Sequence, residues 1–224
     1  MRAAAPFGRV LAIFGGVTMA LAGCSSPSHI DYTAFKEAKP RSVLILPPVN
    51  HTSYVKAPYA VLSQMTRPVA ENGYYVIPVA MELETFHQNG VTVPEEMAQI
   101  PAAKLRSVFG ADAVLYSDIT AYGSSYEVLN SVTAVKLSAK LVDLHTGSVL
   151  WSGSAEADDS SAGDYVYLAG GPFTQLAAAA VKQVGHTLLD SSYPVAGQAS
   201  EKLLSARTRD GWLYGPRSSR YETR

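Results

Sequence analysis

The sequence predicts an α+β fold, an α/β sandwich in which a mixed β-sheet with a long antiparallel hairpin is packed by helices. Three observations carry this. In the first half, short apolar runs of strand length alternate with segments of helical period. In the second half, a long β-patterned stretch reaches a turn signal at Asp143-Leu144-His145-Thr146-Gly147 and returns as Val149-Leu150-Trp151. Ala-rich helical segments then close the chain.

Taken in order, Val43-Leu44-Ile45-Leu46 is a continuous apolar run halted by Pro47-Pro48 and reads as a buried strand. From Ala57 to Asn72, Val61, Leu62, Met65 and Val69 recur at helical spacing, and Gly73 stands where a helix stop belongs; Pro68 predicts a kink or an earlier end. Tyr74 to Val79 is a second β-rich run. Short helical pieces follow at Met81 to Gln88 and Pro101 to Phe109, separated by the loop Asn89 to Pro94, with Gly110 as the second stop.

Ala113 opens a strand towards Ala121. Beyond Gly123-Ser124-Ser125, the segment Tyr126 to Leu144 alternates with period 2 but changes phase midway, so a bulge or strong twist is expected near Thr133. In the following turn Asp143 can bond the backbone ahead and Gly147 can supply a positive φ. Asp158 to Gly171 reads as a loop holding Tyr165 and Tyr167. Pro172 to Leu189 and Val195 to Ala206 read as helices, and Trp212-Leu213-Tyr214-Gly215-Pro216 as a tail.

The amino terminus has a different character. Arg2 and Arg9 precede a short, Gly-interrupted apolar stretch that ends in Leu21-Ala22-Gly23-Cys24. That is the pattern of a lipoprotein signal peptide, with Leu21, Ala22 and Gly23 as the lipobox and Cys24 as the residue that carries a thioether-linked diacylglycerol. Cys24 is the only cysteine among 224 residues, so no internal disulfide can form. The expected organisation is a signal at 1–23, a lipidated terminus and polar tether at 24–40, one α/β domain at 41–218, and a polar tail at 219–224. No later stretch is long and apolar enough to span a bilayer.

Removing residues 1–23 leaves 201 residues and takes Lys+Arg from 18 to 16 against 19 acids, a net charge of −3. Such a balance offers no basic surplus for nucleic acid. It offers none for an anionic surface either.

Reactive constellations are scarce. The hydrolase elbow G-x-S-x-G fails at Gly123-Ser124-Ser125-Tyr126-Glu127, and no phosphate-binding glycine motif occurs. His29, His51, His87, His145 and His186 lie far apart without metal-ligand spacing, so no metal and no cofactor are expected. The pairs Glu82/Glu84, Glu95/Glu96 and Asp158/Asp159 read as solvated faces rather than glycosidase carboxylates. Tyrosine is abundant, 13 against 6 phenylalanines. Tyrosine suits contact surfaces, and Tyr165, Tyr167, Trp212 and Tyr214 are the expected interaction surface.

Several runs carry a resemblance: Tyr32 to Ser42, Leu46-Pro47-Pro48-Val49-Asn50, Glu71 to Val76, Phe109 to Ala113, Lys140 to Gly153, and Leu213 to Arg217. Together they resemble the bacterial lipoprotein family of unknown function typified by a meningococcal surface lipoprotein antigen. The resemblance implies a fold like the amino-terminal domain of TolB. The Asp143 hairpin ending in Trp151 is also similar to the curli-secretion lipoprotein and to lipoprotein activators of penicillin-binding proteins. The implied role is non-catalytic: an outer-membrane-anchored, periplasm-facing module in envelope transport, secretion or assembly, with envelope protein partners and a homodimer as one arrangement. Ser25, where an Asp would favour inner-membrane retention, agrees with outer-membrane sorting. The alternatives are an envelope hydrolase and a periplasmic small-ligand carrier.

Overall fold

The computed structural model describes residues 30–127, 130–159, 192–208 and 210–221. One mixed sheet organises them. Its strands are β1 (Ser42–Ile45), β2 (Val49–Asn50), β3 (Tyr75–Val76), β4 (Ala113–Glu127), β5 (Asn130–Asp143) and β6 (Val149–Asp158). The spatial order is β3-β1-β4-β5-β6, with β2 also paired to β4. β1 runs parallel to β3 and β4, and β4, β5 and β6 form an antiparallel meander. This is the mixed sheet packed by helices that the sequence predicts.

From Val43 onward β1 is apolar because both faces are covered. Val43 and Ile45 join one core; Leu44 and Leu46 join the other. The first core takes α1 (Thr33–Ala38), α2 (Ala57–Glu71) and α6 (Ser192–Leu204), through residues such as Phe35, Met65 and Leu203. The second takes α3 (Val79–Gln88), α4 (Pro94–Ala98) and α5 (Ala102–Phe109), through Phe86, Met97 and Leu105. Among the described residues no helix is long and apolar enough to cross a membrane.

Asp112 pins the parallel strands at their start. Its Oδ2 accepts from the Arg41 N–H (2.9 Å), the Ser42 N–H (3.0 Å) and the Ser42 hydroxyl (2.9 Å). Burial works against its charge, yet these bonds and the Arg41 cation hold the carboxyl below its ordinary range. At the same end of the sheet, where Asp143 pairs with Ala113, Asp143 Oδ2 accepts from the Thr146 N–H (2.8 Å) and hydroxyl (2.6 Å), and Gly147 has φ +77°. The turn is built as its residues predict.

Five expectations need correction. α2 does not end at Pro68. It continues to Glu71, since proline lacks only its own N–H, and its carbonyl still accepts from Asn72 (3.1 Å). The β-run after Tyr74 contributes only Tyr75–Val76 to the sheet. Gly123-Ser124-Ser125 is no break: β4 runs through it, because Gly123 (φ +114°) lets the ring of Tyr54 lie directly on the backbone. The phase change belongs to β4, not to β5 near Thr133. Thr120 is the extra residue, opposite the Lys136–Leu137 step, and it lets Ile119 and Tyr122 both face the helices. A second irregularity at Leu150 does the same for Leu150 and Trp151 in β6. The helix read at Pro172–Leu189 lies outside the described residues.

The fifth concerns Glu82. It is not a solvated face residue: it lies on α3 at 0 % exposure, and neither carboxyl oxygen has a hydrogen-bond partner among the described residues. Burial pushes its pKa up to about 9 from the ordinary 4.5. The unfolded chain releases this proton as pH rises past about 4.5 while the native protein keeps it until about 9, so native stability should fall across that window. At pH 8, Glu82→Gln should be more stable than the wild type by about 1–3 kcal/mol. In urea unfolding the gap should close near pH 4; a gap independent of pH would contradict this.

Candidate functional site

The site begins where α2 stops. Asn72 caps the helix, and its side-chain amide donates to the Leu204 carbonyl (2.6 Å) and accepts from the Ala206 N–H (3.3 Å). Gly73 then turns the chain at φ +96°. Across this turn passes the carboxyl-terminal tail: Gly215 N–H donates to the Asn72 carbonyl (2.8 Å) and Arg217 N–H to the Gly73 carbonyl (3.1 Å). A Cβ on Gly73 would meet the Ser218 nitrogen at 2.5 Å, and one on Gly215 would meet the Gly73 oxygen at 2.7 Å. Only glycine fits at this crossing.

Aromatic packing holds the tail from below. Trp212 contacts Tyr74 (5.5 Å, 82°) and Trp151 (5.7 Å, 64°) edge to face. Gly153 leaves room for the indole of Trp151, where a Cβ would come within 2.5 Å. The Trp151 indole N–H donates to the Asp210 carbonyl (3.0 Å), the Tyr74 hydroxyl to the Leu213 carbonyl (2.7 Å), and the Tyr32 hydroxyl to the Gly211 carbonyl. Burial above all, then the neighbouring Tyr221, raises the Tyr74 phenol far beyond its ordinary pKa, so it stays a donor.

Between this tail and α1 opens a cleft of about 410 Å³. Lys36, Lys39 and Pro40 form one side, Phe35, Tyr74 and Leu213 the apolar floor, and Tyr214, Arg220 and Tyr221 the other side. Lys39 follows α1 in the left-handed conformation (φ +45°), the one non-glycine residue with positive φ among those described. Arg220 donates to the Tyr214 hydroxyl (3.1 Å) and lies 5.8 Å over its ring. Lys36 and Lys39 make no ion pair among the described residues. Three cations beside aromatic rings, with no carboxylate in the lining among the described residues, suit an anionic or amphipathic guest.

The structure redistributes the sequence-predicted residues. Tyr214 lies in the cleft wall. Trp212 is no surface residue: at 0 % exposure it belongs to the core, because the tail buries it between Tyr74 and Trp151. Leu21, Ala22, Gly23, Cys24, Tyr165 and Tyr167 lie outside the described residues. His51 meets Asp118 (3.1 Å) at the surface and His145 approaches Asp112 (3.7 Å); among the described residues no three His, Cys, Asp or Glu gather as a metal site. Residues 30–38, expected within the tether, are instead part of the fold, since Phe35 is buried in the first core. Sequence reasoning did not single out Lys36, Lys39 and Arg220. Their signal was only that they lie in or beside two of the runs carrying the resemblance.

Residues 30–217 match the family described as "Putative lipoprotein GNA1162-like". Over 201 residues the chain is 42% identical to "Putative lipoprotein NMB1124/NMB1162" of Neisseria meningitidis serogroup B, covering 89% of this chain and 92% of that protein. The crystal structure of lipoprotein GNA1162 from Neisseria meningitidis matches with a TM-score of 0.52 and 39% identity, covering 66% of this chain and 99% of that one. TolB from Acinetobacter baumannii also matches, at a TM-score of 0.29 and 10% identity, over 51% of this chain and 22% of TolB.

The crossing yields a contrast between two glycines of positive φ. Gly73→Ala adds a collision with the tail backbone to the strain of its φ, whereas a Cβ on Gly90 (φ +76°) would meet nothing within 4 Å. Gly90→Ala should cost about 1–2 kcal/mol, the left-handed penalty alone, and Gly73→Ala about 3 kcal/mol or more. Denaturant midpoints would show this, and equal losses would contradict the crossing.

Proposed function

We propose that this chain, which belongs to the GNA1162-like lipoprotein family, is anchored through Cys24 to the outer membrane, faces the periplasm, and works by contact with envelope partners rather than by catalysis. The observation that carries the reading is the single cysteine at the end of Leu21-Ala22-Gly23-Cys24, preceded by a basic and apolar leader of 23 residues. Cleavage before Cys24 would leave an acylated terminus, and several acyl chains anchor far more firmly than one. Ser25 supports sorting onward from the inner membrane. The folded domain begins soon afterwards: Thr33, at the start of α1, is nine residues from Cys24, about 30 Å at full extension. The domain therefore works close to its own membrane.

A second reading has an observation behind it. The cleft of about 410 Å³ falls in the size range of small-molecule sites, which supports a small-ligand carrier role. Its lining offers cations and phenols for holding a guest.

The anchor is tested in cells of a Gram-negative host. Wild-type protein should incorporate labelled palmitate and fractionate with the outer membrane. Cys24→Ala should take up no label and appear as uncleaved precursor or released protein, and Ser25→Asp should move the labelled protein to the inner membrane. Normal labelling of Cys24→Ala would overturn the anchor; an unmoved Ser25→Asp would overturn the outer-membrane assignment.

A further inference from the structure

The cleft sits on the part of the described domain nearest in sequence to Cys24, because α1 is both the first described element and one of its walls. Its charge runs against that of the chain. Without residues 1–23 the protein carries a net −3, yet Lys36, Lys39 and Arg220 line one cleft, and among the described residues none of its lining is acidic. Its floor is equally distinctive: Phe35 and Leu213 give apolar surface, and Tyr214 and Tyr221 give rings with hydroxyls at their edges. A bare anion would use the cations and leave the floor unmatched. A guest with a phosphate at one end and a hydrocarbon stem at the other uses both.

We propose that this cleft binds an anionic phospholipid, its phosphate held by Lys36, Lys39 and Arg220 and the first carbons of its acyl chains laid on Phe35, Leu213 and Tyr221. Lys36 and Lys39 supply hydrated point charges suited to a single phosphate, and Arg220 is oriented by its bond to the Tyr214 hydroxyl. The site lies within about 40 Å of the acylated cysteine by chain length, nine extended residues plus one short helix. The anchor thus keeps the ligand at high local concentration, so a weak intrinsic affinity suffices. The source of the ligand rests on the lipid anchor proposed above; binding itself does not.

The test uses full-length protein made with its own leader and purified in non-ionic detergent. Dihexanoyl-phosphatidylglycerol, dihexanoyl-phosphatidylcholine and inorganic phosphate are titrated separately while Tm and tyrosine fluorescence are followed. The phosphatidylglycerol should give a saturable rise in Tm, and the other two should not. Lys36→Glu combined with Lys39→Asn should weaken that response at least tenfold and leave the ligand-free Tm in place, since asparagine tolerates the left-handed backbone of position 39. No saturable response, an equal response to phosphatidylcholine or to phosphate, or an unchanged response in the double variant would overturn the proposal. The mass of the amino-terminal peptide separates the two readings. Lipidated protein that fails to bind overturns the cleft and leaves the anchor standing; unlipidated protein that binds upholds the cleft and overturns the anchor.

Discussion

Two glycine backbones meet where α2 ends and the tail returns, and the contact leaves no space for a side chain on either. Around it the bonds are long-range: Asn72 reaches Leu204 and Ala206, Tyr74 reaches Leu213, and Gly73 receives Arg217. Each satisfies a polar group that burial would otherwise leave unmatched, at about 1–3 kcal/mol apiece. The tail could not be lifted without exposing Trp212 and, through it, the aromatic series Trp151, Tyr74 and Phe35. α1 rests on the same series. One crossing therefore fixes the last segment, seats the first helix and defines the cleft between them.

Much of the sheet was legible because its signals are local. A four-residue apolar run closed by two prolines can be little other than a buried strand, and Asp143 to Gly147 contains its own turn. Glycines at 73, 110 and 147 adopt the positive φ for which their positions called. What escaped was set by partners distant in sequence. The change of phase is visible in the alternation, but whether β4 or β5 carries the extra residue depends on which strand can bulge, and Thr120 sits where its side chain reaches solvent. Gly123 looks like a turn residue until Tyr54, from another part of the chain, lies on it. Glu82 reads as solvated because carboxylates usually are, and nothing nearby announces that α3 is pressed onto the second core.

The candidate site shows the same division. Tyr214 was legible as a contact residue from its type and place in the tail. Trp212, two residues earlier, has an equally surface-prone composition around it, and only the crossing turns it inward. Lys36, Lys39 and Arg220 are ordinary cations in sequence; they become a site because α1 and the tail approach each other there. The anchor is legible at once, being a linear signal read by enzymes from an extended chain. The cleft is the opposite case, made wholly by tertiary structure.

Native-state hydrogen exchange of the tail tests the central claim most directly, that residues 211–217 are an integral part of the core and build the cleft. The amide protons of Gly215 and Arg217 donate across the crossing, and the indole N–H of Trp151 donates to the Asp210 carbonyl just before the tail. They should exchange only through global unfolding, with the same opening free energy as the β4–β5 ladder. Exchange of Gly215 and Arg217 at rates typical of a fraying terminus, while the sheet stays protected, would contradict it.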